Sequence, residues 1–253
     1  MRSALVLLAM VVLTPPLATL VLVATALGVA DKPGSVLWWA PRAWGRGVLR
    51  AAGVRVRVHG ADRMGDGQTP VVFVSNHVSW FDVFALAATL PRYSFVAKAE
   101  VLRIPLFGPA ARALGTIAIE RHNRKSAFVS YDEAARQVRA GRPVIVFPEG
   151  TRGRSYPLRP FKKGPFVLAI AAAAPIVPTL VHGTMPIMPK GSWRVRGGTV
   201  DIHFLEPVPT EGLVYDDRDV LMQRVRDRMS DALAREYGVA ADSRQSSPPL
   251  INA

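Results

Sequence analysis

The chain is 253 residues long, 49% apolar, free of cysteine, and carries a formal net charge of +13. Length and apolar content suit one sizeable domain with a terminal appendage, and the missing thiols exclude disulfides and a cysteine nucleophile. The basic excess suits an anionic membrane or a phosphorylated substrate; nucleic acid fits less well, because the basic residues are scattered and no nucleic-acid-binding motif accompanies them.

From Ser3 to Ala30 no residue is charged, a run of 28 positions. That length can cross a hydrocarbon core of roughly 30 Å. Arg2 precedes the run, and Lys32, Arg42, Arg46 and Arg50 follow it, which by the positive-inside rule leaves the body of the protein in the cytoplasm. Abundant arginine, alanine, glycine and proline hint at a bacterial source, and so at the inner membrane. Pro15 and Pro16 should kink the helix or make it restart, so a re-entrant or monotopic hairpin stands beside a straight span. A cleaved signal peptide ending at Gly28-Val29-Ala30 is disfavoured, because its apolar region would be far longer than usual. Trp38, Trp39 and Trp44, next to basic residues, suit the headgroup interface. Residues 1–50 therefore read as a hydrophobic anchor and interfacial segment, 51–237 as the folded domain, and 238–253 as a flexible tail.

Within 51–237, strands and helices alternate. Val54 to Val58 alternates with period two, as in a half-buried edge strand. Pro70–Ser75 and Pro143–Phe147 are short apolar runs rich in β-branched residues and read as strands buried on both faces. Tyr93–Ala97, Thr116–Ile119, Ile176–Val181 and Val200–Leu205 are further strand candidates. Helices are predicted at Ser79–Thr89, at Lys125–Ala140 with Asn123 or Ser126 as cap and Gly141 at its end, and at Phe166–Ala174. Val220, Leu221, Val225, Met229 and Leu233 stripe a last amphipathic helix. This is the pattern of a layered α/β domain, a sheet flanked by helices.

Two strands end in chemistry. After Val71–Ser75 comes Asn76-His77-Val78-Ser79-Trp80-Phe81-Asp82. His77 falls in the turn at a strand's carboxyl end, where ligands bind in open α/β sheets. Asp82, in the first turn of the helix after it, can reach back to the imidazole, fix its tautomer and stabilise the imidazolium. Such spacing also arises by chance, and a histidine near a helix start is often structural. Ser79 reads as the cap, Trp80 and Phe81 as core. No Gly-x-Ser-x-Gly signature supplies a serine nucleophile, so the histidine would activate a hydroxyl brought by the substrate. His59, His122, His182 and His203 show no metal-ligand spacing.

After Val144–Val146 comes Phe147-Pro148-Glu149-Gly150-Thr151-Arg152. Gly150 allows a tight turn, and Arg152 can grip a phosphate through paired hydrogen bonds, with Thr151 assisting. Glu149 would orient Arg152 or bind a substrate hydroxyl. Lys98 and Arg121 stand just past other strands, and Lys162 lies downstream beside Lys163, which reads as a solvated surface charge; the cations past strand ends would build an electropositive bowl around His77. A backbone N–H near His77 or Gly150 would hold the oxyanion.

Taken together, these motifs resemble those of the glycerolipid acyltransferases, specifically the 1-acyl-glycerol-3-phosphate acyltransferases. The resemblance covers roughly residues 54–210 in four ordered blocks. His77 and Asp82 match the catalytic His-x4-Asp pair. Gly115 to Arg121 matches the second block, whose arginine contacts the acceptor phosphate; Glu120 stands where aspartate is common. Phe147 to Arg152 matches the third, with Glu149 and Arg152 on the acceptor, and Ala174 to Pro178 the fourth. The resemblance implies a catalytic domain at 51–237 with the glycerolipid acyltransferase fold. Its reaction would move a fatty acyl group from acyl-CoA or acyl carrier protein to the sn-2 hydroxyl of lysophosphatidic acid, giving phosphatidic acid. Neither metal nor bound cofactor is implied, and no oligomeric state. Other acceptors, such as lyso-ornithine lipid or another lysophospholipid, stay open, as does a non-enzymatic protein that binds anionic lipid.

Overall fold

The computed structural model describes residues 1–119 and 124–240, with the backbone alone for 124–128. Glu120, Arg121, His122 and Asn123 lie outside the described residues, as does the expected tail from position 241 onward. The helices are α1 (Arg2–Ala26), α2 (Val36–Ala52), α3 (Trp80–Thr89), α4 (Phe107–Ala113), α5 (Arg124–Arg139), α6 (Gly164–Ala172), α7 (Thr184–Ile187) and α8 (Arg218–Tyr237). The strands are β1 (Val54–His59), β2 (Val72–Ser75), β3 (Ser94–Lys98), β4 (Ile117–Ile119), β5 (Val144–Val146), β6 (Ile176–His182) and β7 (Gly198–Phe204).

These strands form one sheet in the order β1-β7-β6-β2-β5-β3-β4. β6, β2, β5, β3 and β4 are parallel, so their carboxyl ends share an edge. β7 runs antiparallel to β6, and β1 parallel to β7, so both of those strands begin at that same edge. As predicted, β1 lies at the rim of the sheet, and β2 and β5 are buried throughout. The pleat divides their residues. Val72, Val74, Val144 and Val146 face the layer of α5, α6 and α8, while Phe73 and Ile145 face the layer of α1, α2 and α3. Each such buried side chain contributes about 1.5–3 kcal/mol of transfer free energy, which is why the apolar runs in the sequence are continuous where the sheet is covered twice.

Pro15 and Pro16 do not make the first helix restart; α1 is continuous through them. The two prolines are adjacent, so the missing N–H donors fall within one turn. Trp44 braces that turn by donating Nε1–H to Thr14 Oγ1 at 3.0 Å. One face of α1 packs along the domain for its whole length. Ser3 Oγ accepts the N–H of Val195, Val6 joins the core of Val48, Leu49 and Val54, and Ala18 and Val21 meet Ala40 and Ala110. The opposite face exposes Leu5, Leu7, Leu8, Val11 and Val12. By length and composition α1 is the one helix among the described residues able to cross a membrane.

Two tryptophans expected at a lipid interface are instead packed inward. Trp38 is buried and donates to Asp31 at 2.8 Å, and Trp44 sits edge-on against Phe84. Residues 36–52 form a helix with one apolar stripe, so the adjacent Trp38 and Trp39 fall on different sides; of the three tryptophans in this helix, Trp39 alone is exposed. Asp31 also pairs with Arg92 and Arg142 of the domain, which clamps the loop between α1 and α2.

Candidate active site

β2 ends at Ser75, and the next turn carries the histidine to the carboxyl edge. Ser79 caps α3 by accepting the N–H of Phe81, and Asp82 closes a capping box from the third helical position. That capping geometry points Asp82 back over the turn. Its Oδ2 lies 2.8 Å from His77 Nδ1 and also accepts the N–H groups of Val78 and Ser79 at 2.7 and 2.9 Å. Oδ1 accepts the hydroxyl of Thr184. The Asp82 side chain is fully buried, whereas that of His77 is 14% exposed. An acceptor carboxylate at Nδ1 leaves the proton there and the lone pair on Nε2, and among the described residues no group hydrogen-bonds Nε2.

The second loop locks onto the first. The backbone N–H of His77 donates to Glu149 Oε1 at 2.9 Å, and the N–H of Gly153 donates to the His77 carbonyl at 2.7 Å. Phe147 stacks on the imidazole with centroids 4.1 Å apart, and Phe95 stacks behind Phe147 at 6.1 Å. Glu149 thus does not orient Arg152, as one expectation had it; it is buried, and burial pushes its carboxyl up to about 7, against the pull of the backbone N–H groups of His77 and Arg159. Arg152 instead lies over the ring of Trp80, 5.2 Å from the centroid. Trp80 is accordingly 40% exposed and not core: the first helical turn gives Phe81 to the interior and Trp80 to the cleft. The backbone donors expected to hold an oxyanion are taken up as well. Those of His77, Val78 and Ser79 serve carboxylates, and that of Gly150 serves the Phe147 carbonyl.

Of the predicted cations, Arg152 reaches the site. Lys98 stands at the end of β3 but pairs with Glu100 at 3.2 Å on the surface. Lys162 is exposed, with its stem alongside Gly150. Gly150 holds φ +72, the left-handed turn the sequence demanded there. Thr151 is exposed and accepts Lys190 Nζ at 3.5 Å. Arg121 lies outside the described residues. A different basic cluster forms from Arg152, Arg154, Arg159 and Lys190. Lys190 Nζ donates to the Arg152 carbonyl at 2.7 Å, and desolvation and the three guanidiniums hold its ammonium below the ordinary lysine value. Lys190 and Thr184 are the residues that sequence reasoning missed. The available signal was their position in the segment that follows β6, Thr184 directly and Lys190 after α7, since the carboxyl end of β6 shares the edge with His77.

An apolar cavity of about 110 Å³ lies between the α1–α2 hairpin and the sheet, lined by Val21, Leu37, Val83, Phe95, Phe107 and Leu114 among others. Through Phe95 and Phe147 it stands two stacked rings from the imidazole. Away from this site, strand register places His59 beside His203, and with Asp201 they bring three possible ligand atoms within 4.8 Å, a proximity no linear spacing announces. Arg57 already takes both oxygens of Asp201, so the group is an ion-paired cluster.

The site sets a buried carboxylate behind a histidine, with cations and an apolar cavity nearby, and the Acyltransferase family model, matching residues 55–182, makes this an acyltransferase-class domain. The chain is 38% identical over 179 residues to human 1-acyl-sn-glycerol-3-phosphate acyltransferase alpha, covering 70% of this chain and 63% of that one. It is 31% identical over 178 residues to the chloroplastic 1-acyl-sn-glycerol-3-phosphate acyltransferase BAT2 of Brassica napus, covering 70% and 50%. This chain belongs to the 1-acyl-sn-glycerol-3-phosphate acyltransferase family. It spans half to just under two thirds of the length of these two relatives. The fold matches the crystal structure of the 1-acyl-sn-glycerophosphate acyltransferase PlsC from Thermotoga maritima with a TM-score of 0.77, at 21% identity, over 94% of this chain and 97% of that one.

Proposed function

We propose that this protein transfers a fatty acyl group from acyl-CoA or acyl carrier protein to the sn-2 hydroxyl of lysophosphatidic acid. The observation that carries the reading is the His77 Nδ1 to Asp82 Oδ2 contact of 2.8 Å, with Nε2 unpartnered among the described residues at the carboxyl edge of the sheet. His77 takes the proton of the acceptor hydroxyl as its oxygen attacks the donor thioester carbonyl. Buried Asp82 stabilises the imidazolium, and the histidine returns the proton to the departing thiolate. General-base help of this kind is worth about 10²–10⁴ in rate.

Arg152, with Lys190 beside it, holds the acceptor phosphate; fixing the acceptor at both ends lowers the entropic cost of the encounter. Arg121, with Lys98 and Lys162 at the rim, adds to the field. Glu149 works through the backbone of His77 and Gly150 through its turn. The apolar cavity under Phe95 takes part of an acyl chain. The exposed apolar face of α1 lies in the cytoplasmic leaflet of an inner membrane; α1 stays docked along the domain, which a straight span leading away from it would not allow.

The test is acyl transfer by membranes overexpressing the protein, offered labelled donor with lysophosphatidic acid, lyso-ornithine lipid or glycerol-3-phosphate. Labelled phosphatidic acid, lost in His77→Ala, supports the reading. Label appearing only in another lipid moves the acceptor assignment, and transfer that survives His77→Ala removes His77 from the chemistry.

A further inference from the structure

The loop between α7 and β7 shows no role in folding that would require its most exposed residue. Trp193, at its tip, is 90% exposed. From Gly183 to Val200 the chain carries Lys190, Arg194 and Arg196 and no acidic residue, and Arg194 and Arg196 are exposed. The loop is nevertheless built. Ser192 N–H donates to the Pro189 carbonyl and Arg194 N–H to Ser192 Oγ, each at 3.0 Å; Arg196 N–H donates to the Ile187 carbonyl at 2.9 Å. Two further contacts fix its place. Val195 N–H donates to Ser3 Oγ in the first turn of α1 at 2.9 Å, and Lys190 holds the Arg152 carbonyl. Trp193 is therefore presented between the mouth of the site and the end of α1 where Leu5, Leu7 and Leu8 are exposed.

A large apolar ring held fully in water is unfavourable, whereas tryptophan's amphipathic ring is suited to the headgroup region. Arginine matches phosphate geometry, and each basic residue near an anionic surface raises binding about fivefold. We propose that the Lys190–Arg196 loop is a second lipid contact. Trp193 seats among the headgroups of an anionic bilayer, Arg194 and Arg196 pair with lipid phosphates, and the mouth of the site is held at headgroup level where its lipid substrate arrives. The inference rests on the membrane placement of α1 proposed above.

The chain has no cysteine, so single labelling sites can be introduced into the full-length protein. Trp193→Cys would carry a nitroxide, with Val11→Cys on the exposed face of α1 and Arg224→Cys on the exposed face of α8 as separate reporters. Circular dichroism checks each fold. In phosphatidylglycerol nanodiscs, position 193 should lose access to a water-soluble nickel chelate, as position 11 does, while position 224 keeps it. In phosphatidylcholine discs, or after Arg194→Ala with Arg196→Ala, position 193 should return to water. Access retained at 193 while position 11 is shielded overturns this inference and leaves the α1 placement standing. Access retained at both sinks the α1 placement and this inference with it. Equal shielding in both lipids overturns the dependence on a net anionic surface, and shielding that survives Arg194→Ala with Arg196→Ala overturns the pairing role of the arginines.

Discussion

Glu149 accepts the backbone N–H of His77 at 2.9 Å, so a carboxyl from the second loop sets the main chain that carries the imidazole. The folded protein holds this carboxyl up to about 7 by burial, against an ordinary 4.5. The raised value means that stability from the neutral form is full below about pH 4.5 and fades as pH climbs through 7. Glu149→Gln keeps the acceptor oxygen and cannot ionise. It should match the parent near pH 4.5 and exceed it at pH 8 by on the order of 3 kcal/mol. Urea denaturation at the two pH values checks this; a difference that does not grow with pH would contradict it.

Thr184, just past the neighbouring strand β6, donates its hydroxyl to the second oxygen of Asp82. Thr184→Val keeps the shape and leaves a buried carboxylate oxygen unpaired, at a cost of about 1–3 kcal/mol. Turnover should fall about tenfold, the equivalent of 1.4 kcal/mol, with both KM values nearly unchanged, and Thr184→Ser should recover most of it. Equal losses in the valine and serine variants would show that packing, not the hydroxyl, matters there.

Arg152 lies over Trp80 and is the predicted phosphate-binding cation that the described residues place at the site. Arg152→Ala should raise KM for lysophosphatidic acid far more than for the acyl donor. Trp80→Ala removes only the ring that orients the guanidinium, worth about 0.5–1 kcal/mol, and should raise the same KM a few-fold. Steady-state kinetics in both substrates decide it; an effect confined to the donor would rule out the phosphate role.

Asp82→Asn removes the charge behind the imidazole while nearly preserving its size. Turnover should drop about 10²-fold or more, within the range general-base catalysis supplies, with membrane attachment intact. Single-turnover measurements with bound substrates isolate the chemical step; an unchanged rate there would remove Asp82 from catalysis.

Removing residues 2–26 would strip Val6 from the core and Ser3 from Val195, so truncation should lower the melting temperature as well as release the protein. A cleaner probe replaces Leu7, Leu8 and Val11, all more than half exposed, with serine. These variants should leave membranes in carbonate-free flotation yet melt within a few degrees of the parent, since surface changes usually stay within about 0.5 kcal/mol.

What the sequence by itself determined was whatever lies within one strand-turn-helix unit. Period-two and continuous apolar runs marked β1, β2 and β5, because burial on one or two faces writes itself into neighbouring residues. His77 and Asp82 were legible as a pair because five residues across a helix start bring them together, with Ser79 as the cap between them. Tertiary structure alone decided what crosses strands. Glu149 was expected to orient Arg152 or bind a substrate hydroxyl; it holds the His77 N–H rather than Arg152, because parallel pairing of β2 with β5 sets their two loops side by side. Thr184 and Lys190 reach the site because β6 pairs with β2 and ends at the same edge. Trp38 and Trp44 turned inward because an amphipathic helix gives its apolar stripe to the domain, and the side on which that domain lies is not written in any local run of residues.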